Sequence, residues 1–161
     1  MKITSYAGTF DDIEVDTASF EGFQFDKMNL HRADFRGAIL RNASFHQTDL
    51  RGAILIEADA SGADFSSASL ITAFLNKADL SKAILTNVRM TGAVFNDADL
   101  SNADLTNAEV SSATSFIGTS LLGAVMSCEN LPAANLAGAK YDDSTVWPEG
   151  FDPVANGAIK I

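Results

Sequence analysis

The chain has 161 residues, is 47% apolar, and carries 11 Lys and Arg against 21 Asp and Glu, a formal net charge of −10. That length suits one domain with a real core, and the acidity excludes a nucleic-acid binder working through bulk attraction to phosphate, although an acidic surface that imitates DNA is a separate matter. One cysteine, Cys128, excludes an internal disulfide scaffold; the start, Met1-Lys2-Ile3-Thr4-Ser5, has no apolar leader run and no stretch approaches the ~20 residues that span a bilayer. The expectation is a cytoplasmic protein with no membrane association.

Residues 1–17 are the least regular. Phe10 and Val15 keep a five-residue register backward from Phe20, but Asp11, Asp12, Glu14 and Asp16 crowd the segment with acid. This predicts an irregular first coil that covers one end of the core, as terminal repeats of a solenoid do.

From residue 18 to 140 one five-residue sentence recurs. Every fifth residue from Phe20 is apolar: Phe25, Leu30, Phe35, Leu40, Phe45, Leu50 and Leu55 open a series that runs through Leu80 and Leu105 to Val110. Two positions before each stands a small residue, nearly always alanine, as in Ala33, Ala63, Ala78 and Ala103. A period of five is neither the 3.6 of a helix nor the 2 of a strand, so each pentapeptide is a short extended piece ended by a turn. Two residues point in and three point out. Gly37, Gly52, Gly62 and Gly92, with Asn42, Asn87, Asn102 and Asn107, take the turn position, where those residues best tolerate unusual backbone angles. The inward partner is small because two large residues per pentapeptide would overfill a narrow interior.

The count slips once. Val110 is followed by Phe116, six positions on, so a bulge or local loop is expected at 111–115. It then resumes at five through Leu121, Met126, Leu131, Leu136, Tyr141, Val146 and Phe151. Residues 141–161 abandon the alanine pattern and gather aromatics and prolines. They read as a C-terminal cap, in which Pro148 and Pro153 stop further stacking and Trp147 or Phe151 covers the open end.

The segments Ala33-Asp34-Phe35-Arg36-Gly37, Ala63-Asp64-Phe65-Ser66-Ser67, Ala98-Asp99-Leu100-Ser101-Asn102 and Ala103-Asp104-Leu105-Thr106-Asn107 resemble the A(D/N)LXX motif of pentapeptide-repeat proteins. The ending resembles the capping tail of cyanobacterial members. The resemblance implies an all-β fold, a right-handed quadrilateral β-helix with four pentapeptides per coil and terminal caps. Spacing alone leaves the number of sides open. Ile54, Phe74 and Val94 align at a period of twenty, yet Ile39 and Ile54 are fifteen apart and Ile84 lies thirty beyond, which three sides would also align. On the family's count of four, residues 6–151 make about seven coils, a rod about 34 Å long.

No reactive constellation is apparent. His31 and His46 stand at outward positions without a nucleophile and acid in sequence reach, so no catalytic residue is assigned and the chain reads as not an enzyme. No cofactor and no metal site are expected, although Asp59, Asp79 and Asp99 form an acidic column where a cation could sit. Arg32, Arg36, Arg41 and Arg51 cluster with both histidines and could form an anion-facing belt. Cys128 is placed at an outward turn position and, with no basic neighbour, is expected to be inert. The sharpest candidate is an interaction surface of Ile54, Phe74 and Val94, at a position that Asp or Asn usually fills, extended by Ile56 and Ile71. The resulting expectation is a non-enzymatic interaction scaffold with an unknown protein partner and no direct nucleic-acid binding, either monomeric or a weak homodimer. The alternative, implied by some bacterial family members, is a DNA mimic that inhibits or protects a type II topoisomerase.

Overall fold

A computed structural model describes residues 19–161 and two short strands before them, β1 (Lys2–Ile3) and β2 (Ile13–Glu14), which pair antiparallel. The irregular first coil expected at 1–17 otherwise lies outside the described residues. From Ser19 onward the chain winds as a four-sided coil. Parallel bridges join residues twenty apart in four columns, for example Asp34↔Ile54, Ile39↔Asp59, Ser44↔Asp64 and Asp49↔Ser69. This decides the question that spacing left open, since Ile39, Ile54 and Ile84 fall in three different columns. The column from Ser19 through Ile39, Asp59, Asp79, Asp99, Ser120 and Lys140 to Ile159 advances seven axial steps, about 34 Å at the spacing of paired strands.

Each pentapeptide is built by the same hydrogen bonds. In Ala53-Ile54-Leu55-Ile56-Glu57, the amide of Leu55 donates to Phe74 O at 2.7 Å and that of Glu57 to Asn76 O at 3.0 Å, both in the next coil, while Ile54 N reaches back to Ala33 O at 2.9 Å. Ala58 N closes the corner onto Leu55 O at 3.1 Å. The second corner residue has positive φ throughout, 65° at Gly52 and 58° at Glu57, the signature of a type II turn. Glycine and asparagine are thus only the commonest occupants. Lys77, Lys82, Gln47 and Thr72 adopt the same left-handed backbone, because the two carbonyls capping each corner along the axis fix it whatever the side chain.

The interior is a single file of large residues at the centre of each side and small ones at its start. Phe25, Phe45 and Phe65 stack at 4.7 and 4.8 Å with nearly parallel rings, and Phe95 lies 5.1 Å from Phe116. Burying each central Leu or Phe contributes roughly 1.5–3 kcal/mol. Where alanine is replaced by threonine, the hydroxyl is buried and donates to the carbonyl of a central residue in the preceding coil: Thr48 Oγ1 to Phe25 O at 2.7 Å, Thr119 to Phe95 O at 2.7 Å, Thr145 to Leu121 O at 2.9 Å. A polar side chain is tolerated inside only because it is satisfied.

Four irregular sides follow from Glu109 onward. The side from Glu109 to Ser115 has six residues, its extra one held by Thr114, whose Oγ1 accepts from Ser111 N at 3.0 Å and donates to Met90 O at 3.1 Å. The side from Val125 to Glu129 has only four, with Cys128 N bonded to Met126 O at 2.7 Å, and the next again has six, the 3₁₀ helix Leu131–Ala133 supplying the surplus. A further six-residue side runs from Lys140 to Val146, beginning in β3 (Lys140–Tyr141), which pairs in parallel with β4 (Ile159–Lys160). Two expectations are corrected here. Val146 is not inward but 50% exposed at a bridge position, so Thr145 and Trp147 take the inner places. Cys128 is not outward: the four-residue side turns it into the core, its Sγ 3.7 Å from Leu105 O. A count of five cannot register a short side followed by a long one. At the C-terminal end Trp147 meets Tyr141 edge-on at 5.4 Å and stacks on Phe151 at 5.3 Å, both partly buried against the core.

Leu80 and Ala63 are both fully buried. Leu80→Asp puts an unpaired charge in the core and is expected to abolish cooperative unfolding, and Ala63→Leu to cost about 1–3 kcal/mol by overpacking. Ser81→Ala should shift stability by less than about 0.5 kcal/mol. Thermal melts by circular dichroism decide, and Leu80→Asp as stable as the parent would overturn the inward register.

Candidate interaction face

The bridge residue of each pentapeptide points outward, and wherever it is Asp or Asn it has a local task. Its carboxylate or amide oxygen accepts from the amide two residues on, the one backbone N–H of the pentapeptide with no carbonyl partner: Asp34 for Arg36 N at 3.1 Å, Asp64 for Ser66 at 2.8 Å, Asp79 for Ser81 at 2.9 Å, Asp99 for Ser101 at 2.8 Å and Asn135 for Ala137 at 3.1 Å. This explains why the motif favours Asp or Asn there. Ile54, Phe74 and Val94 cannot do this, and among the described residues no side chain accepts from Ile56, Asn76 or Asn96 N.

The three are bridged in sequence, Asp34↔Ile54↔Phe74↔Val94↔Ser115, so they stack on one face. Phe74 is 44% exposed. Ile71 stands at the corner before Phe74 and Ile56 at the corner after Ile54, so all five candidate surface residues share this face and its two corners. Ile117, exposed at the far corner beyond Asn96, extends it and was not singled out by the motif pattern. A shallow groove crosses the column, lined by Arg32, Gly52, Ile54 and Phe74. It exists because Gly52 has no side chain: a Cβ there would meet Arg32 Cγ at 3.4 Å.

The arginines are mostly occupied. Arg36 is paired with Asp34, with Nη2 to Oδ2 at 2.5 Å, Arg51 with Asp49 at 2.6 Å, and Arg41 reaches Asp59 at 2.9 Å and Glu21 at 3.3 Å. Hydrogen bonds from Arg36 and Arg51 hold Asp34 and Asp49 below the ordinary carboxylate range. Arg32 alone of the four has no carboxylate partner among the described residues. The belt is therefore a set of local pairs with one uncommitted guanidinium beside the apolar groove.

In the acidic column Asp59 accepts from Ser61 Oγ at 2.8 Å and from Arg41, while Asp79 and Asp99 cap their own corners. No group of three or more His, Cys, Asp or Glu among the described residues is arranged to hold a metal. The twenty-residue coil does bring His46 Nδ1 to 2.8 Å from Ser66 Oγ, a pair that separation in sequence concealed. Among the described residues no carboxylate is hydrogen-bonded to that imidazole, so the pair has no third member to orient it. Burial pushes the Cys128 thiol up to about 12, so it is protonated at neutral pH and a poor nucleophile.

The family model of pentapeptide repeats matches residues 29–66 and 73–111 in eight copies. The chain belongs to the pentapeptide-repeat family. Among solved structures it is similar to a pentapeptide-repeat protein from the thylakoid lumen of Arabidopsis thaliana, at 34% identity and a TM-score of 0.56, over 58% of this chain and 66% of that one. Rfr23, a pentapeptide-repeat protein of the cyanobacterium Cyanothece 51142, is 24% identical over 80% of this chain and 87% of its own, with a TM-score of 0.57, and shows the shared fold alone. QnrB1, a plasmid-mediated fluoroquinolone resistance protein, aligns over 88% of this chain and 84% of its own at 17% identity, but its TM-score of 0.45 carries no argument. No curated protein matches the chain in sequence. No helix among the described residues is long and apolar enough to cross a membrane.

Two measurements check this chemistry. Because the folded pKa values of Asp34 and Asp49 lie below their unfolded ones, their contribution is present above about pH 4 and is lost as pH falls through the lowered values. Asp34→Asn with Asp49→Asn keeps the corner caps and removes the charge, so melts from neutral to acid pH should show a shallower loss of stability than the parent. An unchanged acid limb would remove the ion pairs from the account. A thiol-reactive dye at mildly alkaline pH should label Cys128 only on unfolding, and rapid labelling of the native chain would contradict its inward placement.

Proposed function

We propose that the chain is a non-enzymatic interaction scaffold which presents the face of Ile54, Phe74 and Val94, flanked by Ile56 and Ile71, to a protein partner, as a monomer or weak homodimer in the cytoplasm and without cofactor, metal or direct nucleic-acid contact. The observation that carries this reading is that the three residues abandon the corner cap that Asp and Asn make at this position, as Asp34 and Asn135 do in the same column. A hydrogen bond of this kind contributes roughly 0.5–1.5 kcal/mol, and the sequence forgoes it in three consecutive coils of one face, where Phe74 is exposed and Ile54 and Val94 are half-buried. Contiguous exposed apolar area of this sort marks association surfaces. The regularity of the ladder gives the face a rigid backbone, which limits the entropy lost on binding.

The topoisomerase reading rests on the family resemblance and net charge. Asp34, Asp49 and Asp59 are each bonded to a guanidinium, and no geometric observation favours it.

The test is the variant with Asn at positions 54, 74 and 94. Since Asn135 and Asn29 cap their own corners from the equivalent position, the variant should melt at or above the parent temperature with unchanged circular dichroism. It should lose the association or captured partner seen with the parent. A parent and variant with identical partners and identical sedimentation would sink the interface.

A further inference from the structure

The face just described balances its charges although the chain as a whole carries a formal charge of −10. Among the described residues of its column and two corners, Arg32, Arg36, Arg51 and Lys77 stand against Asp34, Glu57, Asp97 and the neighbouring Asp49. Arg36 and Arg51 are closed by Asp34 and Asp49. Arg32 is left, exposed, at the rim of the groove that Gly52 opens beside Ile54 and Phe74. We infer that this groove takes an extended segment of another protein in which an apolar side chain is neighboured by a carboxylate, the apolar group lying on Ile54 and Phe74 and the carboxylate on the Arg32 guanidinium. The inference rests on the interface reading above and adds to it the chemistry of the occupant.

Charge complementarity selects this occupant over others. A basic segment is drawn to the rod as a whole, but at the groove it meets Arg32, the arginine of the belt with no carboxylate partner among the described residues. A second copy of the chain bound through this same face would bring a second Arg32 to the interface, like charge to like charge. An acidic segment is repelled by the rest of the rod and attracted here, which confines it to the groove, because the repulsion is screened within about 8 Å at physiological salt. A guanidinium accepts a carboxylate through two parallel N–H donors, giving orientation as well as attraction.

The chain supplies its own controls for testing this. Gln47 and Glu57 occupy the same corner position as Arg32 with φ of 57° and 58°, so Arg32→Gln leaves the fold intact. Asn42 and Asn102 hold the position of Gly52, so Gly52→Asn fills the groove without straining the corner. The experiment titrates the isotope-labelled full chain with three blocked peptides in which leucine alternates with glutamate, glutamine or lysine, following amide resonances. The glutamate peptide should shift Gly52, Ile54 and Phe74 and bind about fivefold tighter than the glutamine peptide, the most that a solvent-touching ion pair supplies. Arg32→Gln should erase that difference, and Gly52→Asn should remove binding of both. Equal binding of the glutamine peptide, or tighter binding of the lysine peptide, overturns the acidic occupant while leaving the apolar interface standing. Absence of shifts at this face with every peptide overturns both, and concentration-dependent shifts there without peptide replace the partner by a second copy.

Discussion

The structure depends on one constraint, that backbone hydrogen bonds run along the axis of the coil. In each regular pentapeptide four of the five amides donate to backbone carbonyls, two to the next coil, one to the previous coil and one across the corner, as in residues 53–57. Once that ladder is imposed, each position has a fixed duty. The central residue fills the interior, its small partner keeps the interior from being overfilled, the bridge residue caps the fifth amide, and the second corner residue adopts positive φ. Sequence variation is admitted where the duty can be met differently. Threonine replaces alanine inside because its hydroxyl finds the Phe25, Phe95 or Leu121 carbonyl, and lysine replaces glycine at a corner because the ladder holds the backbone there.

The same constraint makes departures informative. An apolar residue at a bridge position leaves an amide without its cap, a cost met on every coil where it occurs. Ile39 and Ile84 do so singly, each between polar neighbours in its column, and Val125 and Val146 as a pair. Ile54, Phe74 and Val94 do so together, next to a groove opened by Gly52 and rimmed by Arg32. A rigid rod thereby acquires an apolar face on which, among the described residues, Arg32 stands without a carboxylate partner. That combination is what a scaffold needs to select a partner.

Much of this was legible in the sequence because a period of five leaves one arrangement of inward and outward residues. The alternation of Leu or Phe with Ala located the core, and the motif supplied the four-sided coil that placed Ile54, Phe74 and Val94 in one column. What stayed hidden depends on contacts between residues twenty apart or on the length of individual sides. The His46–Ser66 pair, the arginine ion pairs and the groove over Gly52 belong to the first kind. The inward turn of Cys128 and the outward place of Val146 belong to the second, since a four-residue side compensated by a six-residue one leaves the count of central residues unchanged through Leu131 and Leu136. The task of the bridge residue could have been read from the recurrence of Asp or Asn two places before Ser, Thr or Arg, a pattern the A(D/N)LXX motif contains.

Native-state hydrogen exchange on the full chain tests the ladder most directly. The account predicts protection with a period of five, the amide after each central residue exchanging fastest, moderately where Asp caps it as at Ser66, Ser81 and Ser101, and most rapidly at Ile56, Asn76 and Asn96, while Leu55, Phe74, Leu75 and Val94 stay protected. Protection that instead came in contiguous blocks of uniform rate, or that was as strong at Ile56 and Asn76 as at Leu55 and Leu75, would contradict the axial hydrogen-bond scheme and with it the reasoning that singles out the apolar face.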